Sequence, residues 1–196
     1  PDAIQAILEL SSGHPYFTQL LCHALFAHAR DQQNPMISRT DVEAIADKAI
    51  EMGEAGLVWF RDGLPIPERV VFSAVAELQE MAIQQDKASA QIGVIGMVHG
   101  VTADLWSLLH ECGVVTTESL RSAKERLIEG GFIQDRLHGL VYIDRVTKVT
   151  IELVRRWLLK RHPLRRAIWE LEQLSPAAHQ VYEEAAAARQ QGHSDK

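Results

Sequence analysis

The sequence predicts a mainly α-helical protein carrying one small β-hairpin. Three observations support this. Apolar residues recur at helical spacing along most of the chain, helix-capping residues and glycine stops punctuate the periodic stretches, and only Phe132–Ile143 contains two adjacent β-leaning runs.

The elements follow in order. Residues 2–11 place Ala3, Ile4, Ile7 and Leu8 on one side of a short helix that ends at Ser11-Ser12-Gly13. Pro15, with its preset φ, opens a second helix to about Ala29, with Phe17, Leu20, Leu21, Ala24, Leu25 and His28 as its stripe. Ser38 or Thr40 caps a third helix bearing Val42, Ile45, Ala46 and Ala49. Gly53, Gly56 and Asp62-Gly63-Leu64-Pro65 then interrupt the periodicity, with Trp59 and Phe60 between them as expected packing anchors. A domain boundary is placed here, giving a helical subdomain over 1–62.

From Pro67 a helix directs Val70, Val71, Ala74, Val75 and Leu78 inward and ends near Gln85. The glycine-interrupted run Ile92–Val101 reads as a short strand or a loop. Thr102 is the expected cap of a helix with Leu105, Trp106, Leu108 and Leu109, stopped by Gly113. Thr117 caps the next, whose stripe is Leu120, Ala123, Leu127 and Ile128 and whose stop is Gly130-Gly131. Strands at Phe132–Leu137 and Leu140–Ile143 then flank a His138-Gly139 turn. Three helices followed by a hairpin is the order of a winged-helix domain, here 63–148. Residues 149–196 form a C-terminal helical extension, bent at His162-Pro163, with a last helix opening at Ser175-Pro176 and a polar tail.

Composition excludes several classes. The 196 residues are 46% hydrophobic and 23% charged, as in ordinary water-soluble domains, and no apolar run approaches the roughly 20 residues of a membrane helix. The first residues have no basic segment leading into an apolar run, so no signal peptide is read, and Pro1 suggests a processed or excised piece. Cys22 and Cys112 lie in apolar helix patterns and read as reduced structural thiols of a cytoplasmic protein. The net charge of −6 argues against a generic nucleic-acid binder. Acidic residues dominate up to Glu54, whereas Arg145, Lys148, Arg155, Arg156, Lys160, Arg161, Arg165 and Arg166 cluster late. That late basic face is expected to dock on the acidic first subdomain or on a partner domain.

With this layout, the chain resembles the C-terminal half of a P-loop ATPase of the AAA+/STAND kind. Leu10-Ser11-Ser12-Gly13-His14-Pro15-Tyr16-Phe17 is similar to the Gly-x-Pro helix of the helical lid that follows the ATPase core. Ile37–Ile45 is similar to a later lid helix, Pro67–Leu78 to the first helix of the appended winged-helix domain, and Ile151–Leu158 to its closing helix. The resemblance spans roughly residues 3 to 160, so the expected fold is a small helical lid, a winged helix and C-terminal helices. It implies that Gly13, His14 and Pro15 form the lid's half of a nucleotide site, the proline packing near the adenine. A helix start also points partial positive charge toward phosphates.

The sequence holds no Gly-x-x-x-x-Gly-Lys-Ser/Thr and no apolar strand ending in paired acids. It is therefore read as non-catalytic: a nucleotide-state-dependent regulatory and interaction module. ATP or ADP would be held only together with an N-terminal P-loop domain, the main expected partner besides other protein domains or a second copy. The histidine that many STAND proteins carry at the end of the wing has no counterpart in Tyr142-Ile143-Asp144-Arg145. The alternative is a DNA-binding regulator using Arg121, Lys124, Arg126 and Arg136. Glu118, Glu125 and Glu129 share that helix and would repel phosphates, which favours protein contacts. His110-Glu111-Cys112 and Cys22-His23 assemble no four-ligand metal set.

Overall fold

A computed structural model describes residues 2–92, 104–138 and 144–173. Among them the order is α1 (Asp2–Ser11), α2 (Pro15–Asp31), α3 (Arg39–Met52), α4 (Glu54–Asp62), α5 (Ile66–Ile92), α6 (Leu105–Glu111), α7 (Glu118–Glu129), β1 (Ile133–His138), β2 (Asp144–Val149), α8 (Glu152–Arg161) and α9 (Leu164–Glu172). The chain is mainly helical, with one two-stranded antiparallel sheet among the described residues.

Helices α1, α2 and α3 pack mutually, and α5 is the axis against which α6, α7, α8, α9 and β2 are laid. The two groups meet where α8 contacts α1 and α3. They also meet along a run of rings, Phe17 to Phe60 to Phe132 to Phe72, with centroids 6.3, 4.7 and 5.8 Å apart. Trp157 of α8 is fully buried.

Several expectations hold locally. Ser38 caps α3 in a reciprocal box with Asp41, Thr117 caps α7, and the chain breaks between α8 and α9 at His162-Pro163. Others are corrected. In α1 the buried residues are Ala6, Leu10 and Ser11, with Ala3 and Ile7 partly covered, while Ile4 and Leu8 face solvent. The stripe is thus Ala3, Ala6, Ile7, Leu10, and two alanines made it hard to see.

Residues 54–62 form a helix rather than a break. A Cβ atom at Gly53 would clash with Leu20 Cδ2 and one at Gly56 with the Tyr16 hydroxyl, so these glycines permit close approach of α2 and α4. Helical phase turns Leu57 and Arg61 inward, and Trp59, expected to be an anchor, is 80% exposed. Helix α5 continues to Ile92, because Gln79 to Gln91 is polar yet rich in strong helix formers. The cap of α6 is Asp104, whose carboxylate accepts from Trp106 N–H at 3.2 Å, not Thr102.

The second strand is Asp144–Val149, in register from Ile133↔Val149 to His138↔Asp144. His138, expected in the turn, is therefore the last described residue of β1 and pairs with Asp144. Ile133 and Val149, both buried, fix this register by turning one face onto the core. The expected second strand at 140–143, most of the run at 92–101, and the helix from Ser175 lie outside the described residues.

Candidate functional site

The site implied by the sequence is the turn between α1 and α2. Ser12 (φ 49°) and Gly13 (φ 72°) are consecutive left-handed residues, which reverse the chain within two positions. Glycine adopts this conformation freely; serine does so at a cost. Ser11, buried, holds the turn from inside: its Oγ accepts from Gly13 N–H at 3.2 Å and from Thr18 Oγ1 at 3.0 Å. His14 N–H donates to Ser11 O at 2.9 Å, and the His14 ring rests 5.0 Å from Phe17. Pro15 follows in the first turn of α2. Gly13, His14 and Pro15 are thus adjacent and exposed at the start of a 17-residue helix. Ser12 Oγ reaches across the chain to donate to the carbonyl of Thr150, between β2 and α8.

Part of the late basic segment docks on the acidic first helices. Arg156 Nη1 lies 2.8 Å from Glu43 Oε2, Lys160 Nζ 3.0 Å from Asp47 Oδ2, and Arg161 Nε 3.6 Å from Glu54 Oε2. On the opposite side of α8, buried Arg155 donates to Glu152 through Nε and Nη2 at 2.7 and 2.6 Å and to Glu80 at 2.6 Å. Burial raises the Glu152 carboxyl, but hydrogen bonds from Arg155 and Arg156 outweigh this and hold it below the ordinary range.

The residues of the alternative DNA reading are not one free basic face. Lys124 pairs with Asp135 at 3.2 Å, and Arg126 Nε with Glu68. Arg121 is exposed on α7, and Arg136 sits on β1 opposite Val146. No group of three or more His, Cys, Asp or Glu among the described residues could hold a metal ion. Cys22 and Cys112 are free as expected but exposed, so they are not core thiols. Cys112 closes α6 as its C-cap.

A second cluster has no counterpart in the sequence reasoning. Arg61 is only 2% exposed, yet it carries a charge into the junction of α4, α5 and α9. Its Nη2 donates to Glu170 at 2.7 Å and its Nη1 approaches Asp62 at 3.4 Å. Arg69 Nε and Nη2 close the end of α4 by donating to the carbonyls of Leu64 and Asp62, both at 2.8 Å. His162 lies beside them, its ring 4.6 Å from Trp157 and its carbonyl accepting from Ser73 Oγ at 2.9 Å. Burial first, then the charges of Arg61 and Arg166, lower its pKa to about 4, against the smaller pull of Glu170 and Asp62. It is neutral at pH 7. A buried arginine within an otherwise apolar i, i+4 pattern, Leu57 and Arg61, was the only signal the sequence offered.

No protein-family model, no curated protein and no solved structure matches this chain. Among the described residues no helix is long and apolar enough to cross a membrane.

Proposed function

We propose that the chain is the helical lid and winged-helix portion of a STAND-type ATPase, acting as a nucleotide-state-dependent regulatory and interaction module. In this reading α1 to α4 are the lid, α5 to β2 the winged helix, and α8 and α9 the closing helices. The observation that carries it is the Ser11–Pro15 turn. An exposed, proline-started helix is offered behind two left-handed residues and tied by Ser12 to the segment leaving the hairpin.

Such a turn suits nucleotide binding in two ways. Pro15 offers a flat apolar ring with no N–H to compete for hydrogen bonds, and the free N–H groups of the first turn favour negative charge. The chain has no phosphate-cradling loop of its own, so Gly13, His14 and Pro15 would complete a site whose phosphate-binding half belongs to a P-loop domain. The bond from Ser12 to Thr150 supplies a route by which a change at the turn reaches the hairpin and α8.

The test is nucleotide retention in the longer protein that joins this chain to its P-loop domain, comparing wild type with Pro15→Ala. Weaker ADP or ATP retention supports the reading, and unchanged retention opposes it. The isolated 196 residues should turn over no ATP.

A further inference from the structure

We propose that the polar cavity between α4, α8 and α9 is a binding site for a small oxyanion, the phosphate or carboxylate group of a metabolite-sized ligand. This is independent of the nucleotide reading. The cavity, open to solvent, has a volume of about 580 Å³, and its charged lining is Arg61, Arg69, Arg161 and Arg166 with Glu54, Asp62 and Glu170, beside His162. Its size is that of a small-molecule site.

Two residues of its wall carry a buried polar atom without a hydrogen-bond partner, Arg61 at Nε and His162 at Nδ1; Glu54 Oε2 has no hydrogen bond either but is ion-paired with Arg161 at 3.6 Å. A buried polar group left unmatched costs about 1–3 kcal/mol, and more when it is charged, so the Arg61 and His162 atoms are a local departure at one wall of the cavity. The charges are unequal as well. Four guanidiniums face three carboxylates, and His162 is neutral, leaving an excess positive charge.

The excess is concentrated at the mouth. Arg161 and Arg166 are 46% and 59% exposed, and each is separated from its carboxylate by more than a hydrogen bond, at 3.6 and 3.9 Å. An entering oxyanion can therefore take donors from both without breaking a formed hydrogen bond to a carboxylate. Deeper in, the Arg61 guanidinium is buried and fixed by Glu170, so its charge is held behind the cavity wall with little conformational freedom. Neutral His162 can donate or accept at Nδ1, which accommodates either a monoprotonated phosphate or a fully ionised carboxylate.

The test uses the full chain and two probes, inorganic phosphate and succinate, titrated calorimetrically at constant ionic strength. The geometry predicts saturable binding of at least one with Kd of about 1 mM or tighter. It should weaken about tenfold or more in the double variant Arg161→Gln/Arg166→Gln, whose positions are at the surface and leave Arg61 in place. The charge-matched control Arg30→Gln/Lys48→Gln, both exposed, on α2 and α3 and outside the cavity lining, should bind as wild type. Phosphate preference would assign a phosphoryl ligand and succinate preference a carboxylate one. Binding of neither probe, or equal weakening in the control, would overturn the proposal.

Discussion

Ser12 Oγ donates a hydrogen bond to the carbonyl oxygen of Thr150, 138 residues further along the chain. The bond ties the α1–α2 turn to the segment between β2 and α8, so the two regions share part of their stability. Ser12→Ala removes the donor without altering charge. It should cost about 0.5–1.5 kcal/mol in urea unfolding and speed amide exchange around Gly13 and Thr150. Protection unchanged at both places would mean that the turn and the hairpin exit are energetically separate.

Arg155 and Lys160 lie five residues, about 1.4 turns, apart on α8 and should behave very differently. Arg155 is 5% exposed and serves both Glu152 and Glu80; Arg155→Ala removes these charged hydrogen bonds, although Glu152 keeps Arg156 and Glu80 keeps Gln84, and should cost about 1.5–3 kcal/mol. Lys160 pairs with Asp47 at the surface, and Lys160→Ala should cost less than about 1 kcal/mol, vanishing in high salt. Chemical denaturation of the two variants at low and high salt checks the contrast.

His162 makes stability depend on mild acid. Its pKa is about 4 in the folded chain and near 6.5 when unfolded, so the unfolded state takes up a proton first as pH falls. Its contribution is complete above about pH 6.5 and is lost progressively toward pH 4, amounting to at most about 3 kcal/mol. Replacing His162 with Gln should flatten the stability profile between pH 6.5 and 5. A ring-proton titration of His162 with a midpoint above 6 would contradict the burial argument.

Duplex DNA should bind weakly even at low salt. Lys124 and Arg126 already face Asp135 and Glu68, and Glu118, Glu125 and Glu129 accompany them on α7. A mobility shift with a steep salt slope, reduced by about one unit on Arg121→Gln, would instead favour the DNA-binding alternative.

The legible parts of the fold are those set by local chemistry. Ser38, Thr117 and Gly113 mark helix ends because capping and left-handed closure are decided within a few residues. Misread elements depended on distant partners. Gly53 and Gly56 look like breakers until Leu20 and Tyr16 are seen against them, and Trp59 looks like core until Leu57 and Arg61 fix the phase of α4. The hairpin register follows the buried pair Ile133 and Val149, 16 residues apart in sequence, which the local pattern did not bring together. For the site, Gly13 and Pro15 were visible as backbone punctuation. The arginine cavity was not, because Arg61, His162 and Glu170 come together only after α4 and α9 have packed.

The central claim is that Gly13, His14 and Pro15 form the lid's half of a nucleotide site. Its most direct measurement is the dissociation rate of bound ADP from a protein that joins this chain to the P-loop domain proposed for it, wild type against Pro15→Ala. Pro15 is exposed in the first turn of α2 and donates no hydrogen bond, so the variant should keep the wild-type circular dichroism spectrum. The account predicts release faster by about fivefold, near 1 kcal/mol of lost contact. An unchanged rate in a normally folded variant would contradict it.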